Sequence, residues 1–180
     1  MKEIIINDNN LTDNEVDVTK LKVRALLSFG NKLLVCNYSG VLMFPGGKLD
    51  PNEEVLDALL RELNEETGIS YDKESFKEFL LIDYYQRDYP TREEDVVNRL
   101  VKTYYYTGKY NGIDENNMHI SKSEIEGNLK LELLSIDDIK DKLKDHVDNP
   151  RNDYFVKELN IVIDEYLKGW RYGKNMDYSN

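Results

Sequence analysis

The sequence has little that would suit a secreted, membrane-bound or nucleic-acid-binding protein. A single cysteine, Cys36, excludes an internal disulfide framework. No apolar run approaches the roughly 18 residues of a membrane span, and the first residues carry too short an apolar stretch for a signal peptide. Lysine and arginine number 24 against 35 acidic residues, and the formal charge of −11 repels polyanions. We therefore expect a cytoplasmic protein that binds neither membranes nor duplex nucleic acid.

The bulk composition is that of an ordinary soluble domain. Hydrophobic residues make up 40% of the 180 residues and charged residues 33%. This length closes one hydrophobic core, so we predict a single domain over residues 1–180, with an N-terminal extension at 1–20 and a C-terminal tail at 169–180. The sequence does not settle the oligomeric state, and a homodimer stays open.

Strand and helix patterns are mixed along the chain. A Gly30-Asn31 pair predicts a hairpin turn, and Asn111 to Asn128 predicts a long loop. The predicted strands are Lys22–Ser28, Lys32–Asn37, Val41–Phe44, Phe76–Tyr85, Arg99–Tyr106 and Lys130–Leu134, after a short strand at the N-terminus. The predicted helices cover residues 51–67, a segment capped by Ser135, and Asp153–Lys168. These patterns predict an α/β fold with a mixed sheet between helices.

The helix at residues 51–67 has the best-defined ends. Asp50 is the expected N-cap, with Pro51 at the first helical position and Glu53 at the third completing a capping box. Gly68 is expected to end the helix in a left-handed conformation. The buried face is an apolar stripe formed by Leu56, Leu59, Leu60 and Leu63.

Three glutamates do not fit this division into buried and exposed faces. Glu62, Glu65 and Glu66 lie three and four residues apart, so they are neighbours, and Glu66 falls on the buried side. No lysine or arginine follows three or four residues later, and like charges at this spacing cost roughly 0.2–0.5 kcal/mol each. A solvated acidic face is the alternative, but the preceding Gly46-Gly47 loop favours a site for a hard divalent cation.

The stretch from Gly47 to Ile69 resembles the Nudix box without a departure. Glycine is followed after five residues by Glu53 and after seven more by Arg61-Glu62-Leu63-Asn64-Glu65-Glu66-Thr67-Gly68-Ile69. The resemblance implies the family's α/β/α sandwich around a mixed sheet. It also implies an enzyme that hydrolyses a diphosphate linkage in a nucleoside diphosphate derivative: a nucleoside triphosphate, a dinucleoside polyphosphate or a nucleotide sugar.

The same resemblance implies a metal site. Glu62 and Glu66 would ligate Mg²⁺, with Mn²⁺ as the alternative ion, and Glu65 would be a further ligand or a base. The backbone carbonyl of Gly47 would add another oxygen. A divalent ion neutralises phosphate charge and lowers the pKa of a coordinated water, and a nearby carboxylate accepts that water's proton.

Two further pairs of residues follow from the resemblance. Arg61 would be held by Glu53, which fixes the loop against the helix. Family members usually recruit another carboxylate from a later loop, for which Glu126 is the first choice and Glu124 the second.

Tyrosines are the candidates for substrate contact. Tyr104 and Tyr106 share one strand face, and aromatic rings stack on nucleobases for about 1–3 kcal/mol each. Diadenosine polyphosphate hydrolases of the family carry a tyrosine about sixteen residues after the box, where Tyr85 stands. Packing on the sheet is the alternative for each tyrosine. Basic residues that suit distal phosphates are Arg87, Arg92, Arg99, Lys102 and Lys109.

Two other functions stay open alongside the hydrolase. A Nudix-fold sensor would bind a nucleotide derivative without turnover, although such relatives typically lose glutamates that this chain retains. A family-like isomerase of allylic diphosphates needs further residues outside the box, and none is identified.

Overall fold

The computed structural model, which describes residues 1–91, 95–144 and 150–172, contains both strands and helices in mixed order. The strands are β1 (Lys2–Ile6), β2 (Val18–Phe29), β3 (Lys32–Tyr38), β4 (Val41–Met43), β5 (Lys77–Pro90), β6 (Val96–Lys109) and β7 (Lys130–Ser135). The α-helices are α1 (Val55–Thr67), α2 (Lys122–Glu126), α3 (Ile136–Lys144) and α4 (Pro150–Tyr172).

The sheet consists of two parts joined by one hairpin. In the first part, β1 pairs in parallel with β5, β5 antiparallel with β6, and β6 in parallel with β2. The predicted Gly30-Asn31 turn is confirmed, but only two residue pairs, Ser28 with Leu33 and Phe29 with Lys32, join β2 to β3. Beyond them β3 pairs with β4 and β7 instead. The sheet therefore opens beside the part of β2 that precedes Ser28.

The two faces of the sheet pack against different helices. Val23 and Ala25 of β2 belong to the core that includes Leu59 and Leu63 of α1. Leu26, which points to the opposite face, lies in the core built with residues of α3 and α4. The predicted α/β/α arrangement around a mixed sheet is confirmed.

The predicted start of the box helix is wrong, whereas its end is confirmed. Helix α1 begins at Val55, after an extended Glu54, and not at residue 51. Asn52 adopts a left-handed conformation with φ 65°, which ends any helical run from Pro51. Asp50 is therefore not the N-cap. Gly68 does close the helix, with φ 71°.

Several other boundaries differ from the sequence prediction. Strands β5 and β6 run beyond the predicted segments, so Pro90 is the last residue of β5 rather than part of a loop. Helix α2 lies inside the predicted loop. Strand β1, in the predicted N-terminal extension, is part of the sheet. Residues 169–172 of the predicted tail belong to α4, and residues 173–180 lie outside the described part.

The predicted cap at Ser135 is confirmed, since its Oγ accepts the Asp138 N–H at 3.1 Å. Among the described residues, no helix is long and apolar enough to cross a membrane.

Candidate active site

The loop of residues 44–49 fills the opening beside β2. The Val23 N–H donates to the Gly47 carbonyl at 2.9 Å, and the Ala25 N–H donates to the Pro45 carbonyl at 2.9 Å. Gly46 has φ 125°, and a Cβ there would overlap the Val23 carbonyl oxygen. Only glycine fits this position, because both its backbone conformation and its surroundings exclude a side chain.

Glu66 reaches this loop from the helix. Its carboxylate Oε2 accepts the Gly46 N–H at 2.8 Å and lies 4.0 Å from the buried thiol Sγ of Cys36. The residue is only 4% exposed, which confirms the predicted position on the buried side of α1. Burial raises the pKa of the Glu66 carboxyl to about 8, partly opposed by the charge of Arg24 and the Gly46 N–H. Without a metal ion, burial therefore favours the protonated form of this carboxyl.

Glu62 lies against the second glycine of the loop. A Cβ on Gly47 would overlap the Glu62 carboxylate, so the absence of a side chain at Gly47 makes room for it. The Glu62 side chain is 15% exposed, and burial raises its pKa. Glu65, one turn further along the helix surface, is 40% exposed. The three carboxylates thus form a gradient from buried Glu66 to accessible Glu65.

The glutamates have a cationic neighbour on their N-terminal side, although no lysine or arginine follows them three or four residues later. This neighbour is Arg61, whose Nη1 lies 2.9 Å from Glu62 Oε1 and 3.6 Å from Glu65 Oε1. The repulsion within the acidic cluster is therefore partly balanced within the helix.

The predicted contact between Arg61 and Glu53 is present as a two-pronged ion pair. Arg61 Nε donates to Glu53 Oε1 and Arg61 Nη2 to Glu53 Oε2, both at 2.9 Å. Arg61 Nη2 also donates to the Lys48 carbonyl at 3.1 Å. Glu53 Oε2 accepts the Asp50 N–H at 2.9 Å, so its carboxylate joins the loop to the helix instead of capping the helix. The Arg61 guanidinium lowers the pKa of Glu53.

The donor set fits a hard divalent cation, although the side chains do not already converge on a point. Among the described residues, no group of three or more His, Cys, Asp and Glu side chains is placed to hold a metal. Glu62 and Glu65 are turned towards Arg61, and Glu66 towards Gly46. Their helical spacing makes them neighbours, and carboxylate oxygens are the ligands that Mg²⁺ prefers.

The segment after β6 is docked on the C-terminal end of α1. The Asp114 N–H donates to the Thr67 carbonyl and the His119 N–H to the Glu65 carbonyl, each at 2.8 Å. These bonds satisfy helix-end carbonyls that lack partners within the helix. They also bring the following residues, including α2, close to the box.

The structure distinguishes the two predicted loop carboxylates. Glu126 is exposed and lies 3.7 Å from Lys122. Glu124 is half-buried and is among the charges that raise the pKa of Glu66. The first choice, Glu126, is therefore the less favourably placed of the two.

The three predicted substrate tyrosines are not brought together with the carboxylates. Tyr106 is buried in the core beneath α1, and Tyr104 packs against the same core. The Tyr85 hydroxyl donates to Asp13 Oδ1 at 2.7 Å. Their role in substrate binding stays a prediction.

The predicted phosphate-binding cations are mostly engaged elsewhere. Arg87 pairs with Glu15 at 3.0 Å, and Lys102 with Asp83 at 2.5 Å. The Arg99 guanidinium stacks on the Tyr89 ring at 3.1 Å. Lys109 is exposed, and Arg92 lies outside the described residues.

Sequence reasoning missed Arg24, which belongs to the site. Its Nη1 donates to the carbonyls of Phe44 at 2.5 Å and Gly46 at 2.8 Å. The signal was a charged residue within the otherwise apolar strand Val23 to Leu27. A buried arginine needs hydrogen-bond acceptors, but the sequence does not show which ones.

Comparison with known proteins agrees with this geometry. The sequence profile of the NUDIX domain matches residues 20–159. The fold is similar to that of a NUDIX hydrolase from Nitrosomonas europaea, with 21% identity, a TM-score of 0.54, and coverage of 91% of this chain and 98% of that chain. It is also similar to the E. coli ORF135 protein, with 17% identity, a TM-score of 0.52, and coverage of 88% and 95%.

A MutT protein from Bacillus halodurans is similar at 21% identity, with a TM-score of 0.50 and coverage of 68% of this chain and 72% of that chain. No curated protein matches the chain. The glutamate-bearing helix packed on a Gly-Gly loop in an α/β/α sandwich defines a pyrophosphohydrolase of the Nudix class. The chain belongs to the Nudix family.

Proposed function

We propose that this Nudix hydrolase cleaves a diphosphate linkage in a nucleoside diphosphate derivative with the help of Mg²⁺, or of Mn²⁺ in its place. The observation that carries the proposal is the pair of desolvated carboxylates, Glu62 and Glu66, held against the Gly46-Gly47 loop. Carboxylates buried in this way favour a bound cation, because burial penalises their charged form when no cation accompanies it.

The ligands in this proposal are Glu62, Glu65, Glu66 and the Gly47 carbonyl. When bound, the divalent ion would neutralise the diphosphate charge and lower the pKa of an attacking water. The Gly47 carbonyl already accepts one hydrogen bond, from the Val23 N–H, and a carbonyl oxygen has a second lone pair for a ligand contact.

As the alternative to its role as a ligand, Glu65 is the proposed proton acceptor, because it is the most accessible of the three carboxylates. The water oxygen forms a bond to one phosphorus while the bond from that phosphorus to the bridging oxygen breaks. The bridging oxygen leaves with the electron pair on the other phosphate group, and the water's proton passes to a carboxylate. The products are a nucleoside monophosphate and the other phosphate-bearing half, or pyrophosphate from a triphosphate.

Glu53 and Arg61 have a supporting role in this proposal. Their two-pronged pair and the Arg61 contact to the Lys48 carbonyl hold the loop in register with the helix. Glu124 is the favoured additional carboxylate, with Glu126 as the alternative, since the charge of Glu124 is among the causes that raise the pKa of Glu66.

The proposed substrates are nucleoside triphosphates, dinucleoside polyphosphates and nucleotide sugars. The proposal includes stacking of the nucleobase on Tyr85, Tyr104 or Tyr106. It also includes the expectation that the protein does not bind duplex nucleic acid. A homodimer also stays a proposal.

A substrate panel with resolved products tests the proposal. Nucleoside triphosphates, diadenosine polyphosphates, nucleotide sugars and capped RNA are incubated with Mg²⁺, and products are separated by ion-exchange chromatography. Glu62→Gln and Glu66→Gln should each reduce kcat by orders of magnitude on the best substrate. Glu74→Gln, an exposed glutamate in the turn after α1, is the matched control and should retain full activity. Wild-type rates in both box variants would contradict the proposal, and binding without turnover of any substrate would indicate a sensor.

A further inference from the structure

Arg24 is a buried cation whose partners are backbone carbonyls rather than carboxylates. The residue is 9% exposed and stands in β2 between the core residues Val23 and Ala25. Within residues 1–91, 95–144 and 150–172, no carboxylate forms an ion pair with its guanidinium. Burying a charged group costs several kcal/mol unless its hydrogen bonds compensate. The contacts that Arg24 makes are therefore expected to matter.

Those contacts all concern the loop that carries the box glycines. One nitrogen, Nη1, donates to the Phe44 carbonyl at 2.5 Å and to the Gly46 carbonyl at 2.8 Å. The two carbonyls lie two residues apart, on either side of Pro45. A single charged donor thus holds the backbone on both sides of Pro45. Hydrogen bonds from a charged donor are roughly twice as strong as those between neutral groups.

Gly46 is held from two sides at once. Its carbonyl accepts from Arg24 on the strand side, and its N–H donates to Glu66 at 2.8 Å on the helix side. Glycine can adopt the Gly46 conformation with φ 125°, but its backbone is also free to adopt many other conformations. Glycine does not fix this conformation by itself, so the surrounding hydrogen bonds must do so.

The position of Gly47 follows from that of Gly46. The Gly47 carbonyl accepts a hydrogen bond from the Val23 N–H, and the Glu62 carboxylate lies where a Cβ on Gly47 would stand. A rotation at Gly46 therefore moves both the Gly47 carbonyl and the space that receives the Glu62 carboxylate.

We propose that Arg24 is a positioning residue, which acts through the Gly46-Gly47 backbone to set the geometry of the metal-ligand group. The effect of Arg24 on catalysis rests on the proposed function, whereas its effect on the loop geometry does not depend on that function.

Direct contact of Arg24 with a substrate is the competing explanation. Arg24 does line a cavity between the sheet and α4, together with Lys22, Tyr105 and Glu158. The cavity volume is about 10 Å³, which is room for no more than about one water molecule. A cavity of this volume does not accommodate a nucleotide, so the hydrogen bonds to the loop, and not contact with a substrate, carry the inference.

The variants Arg24→Met and Arg24→Lys test the inference, with Lys22→Met as the matched control on the same strand and the same cavity. Arg24→Met retains the apolar stem and removes both hydrogen bonds, whereas Arg24→Lys retains a charged donor. The first measurement is amide hydrogen exchange of Gly46 by NMR, without metal or substrate. We expect exchange to accelerate about tenfold or more in Arg24→Met, by less in Arg24→Lys, and to stay unchanged in Lys22→Met.

The second measurement is the Mg²⁺ dissociation constant by calorimetry, together with kcat and KM. Arg24→Met should weaken Mg²⁺ binding about tenfold and lower kcat while the substrate KM stays within about twofold, and Arg24→Lys should restore part of each. If Arg24→Met does not fold, Arg24→Lys carries the same test with a smaller effect. Unchanged Gly46 exchange in the folded variants would overturn the inference. A wild-type protein without hydrolase activity would refute the proposed function, and the Gly46 exchange would still decide the role of Arg24.

Discussion

The Glu66 carboxyl should govern the pH dependence of folding stability when divalent ions are removed. Its pKa in the folded protein is about 8, against an ordinary value of 4.5. Below pH 4.5 both the folded and the unfolded states are protonated, so the group has no effect. Between pH 4.5 and 8 the unfolded state ionises while the folded state retains the proton, and the free energy of unfolding therefore decreases as pH rises.

The expected magnitude follows from the difference between the two pKa values. At about 1.4 kcal/mol for each pH unit, the full span corresponds to roughly 4–5 kcal/mol. Glu66→Gln removes the ionisation and keeps an oxygen that accepts the Gly46 N–H. The variant should therefore lose most of this pH dependence. At pH 8 it should be at least as stable as the wild-type protein in the absence of metal.

Urea unfolding at pH 5 and pH 8 in the presence of a chelator measures this effect. Glu74→Gln is the control and should show the wild-type difference between the two pH values. Addition of Mg²⁺ at pH 8 should restore stability to the wild-type protein and not to Glu66→Gln, because the ion binds the charged carboxylate in the folded state. A Glu66→Gln variant with the full wild-type pH dependence would refute the reasoning, since another group would then be responsible.

Three other substitutions have distinct expected outcomes. Gly47→Ala places a methyl group against the Glu62 carboxylate, so kcat should fall at least about tenfold while circular dichroism shows an intact fold. Arg61→Lys loses the two-pronged pair with Glu53 and should lower kcat with Mg²⁺ affinity nearly unchanged; a calorimetric loss as severe as that of Glu66→Gln would contradict this division of roles. Leu59→Ala removes a fully buried side chain and should lower the free energy of unfolding by about 2–5 kcal/mol in chemical denaturation.

Local periodicity explains which parts of the fold were predictable. The left-handed Gly68 follows from helix geometry, and the structure confirms it. Of the predicted apolar stripe of α1, Leu59 and Leu63 are buried, whereas Leu56 and Leu60 are partly buried against the same core. The burial of Glu66 followed from the same periodicity. The alternation of strand residues and the Gly30-Asn31 turn likewise predicted the β2–β3 hairpin.

Tertiary contacts explain what was not predictable. Asp50, Pro51 and Glu53 have the residue types of a helix start, but Glu53 instead pairs with Arg61 and the helix begins at Val55. The local preference of these residues for a helix start is overridden by a two-pronged ion pair, which forms only when the loop and the helix are both in place. The same holds for Arg24, whose acceptors lie twenty and more residues away.

The loop carboxylate illustrates the same limit. Both Glu124 and Glu126 stand just before β7, and sequence distance does not separate them. The preceding segment docks on α1 through Asp114 and His119, and the charge of Glu124 is among the causes that raise the pKa of Glu66.

Titration of Mn²⁺ into the protein tests the central claim most directly. Free Mn²⁺ is followed by electron paramagnetic resonance, with and without a non-hydrolysable nucleotide, in the wild-type protein, Glu62→Gln, Glu66→Gln and the Glu74→Gln control. We expect saturable binding in the wild-type protein and the control, competition by Mg²⁺, and strongly weakened binding in both box variants. Absence of saturable binding to the wild-type protein, with nucleotide present as well as absent, would contradict the assignment of Glu62, Glu65 and Glu66 as a metal site.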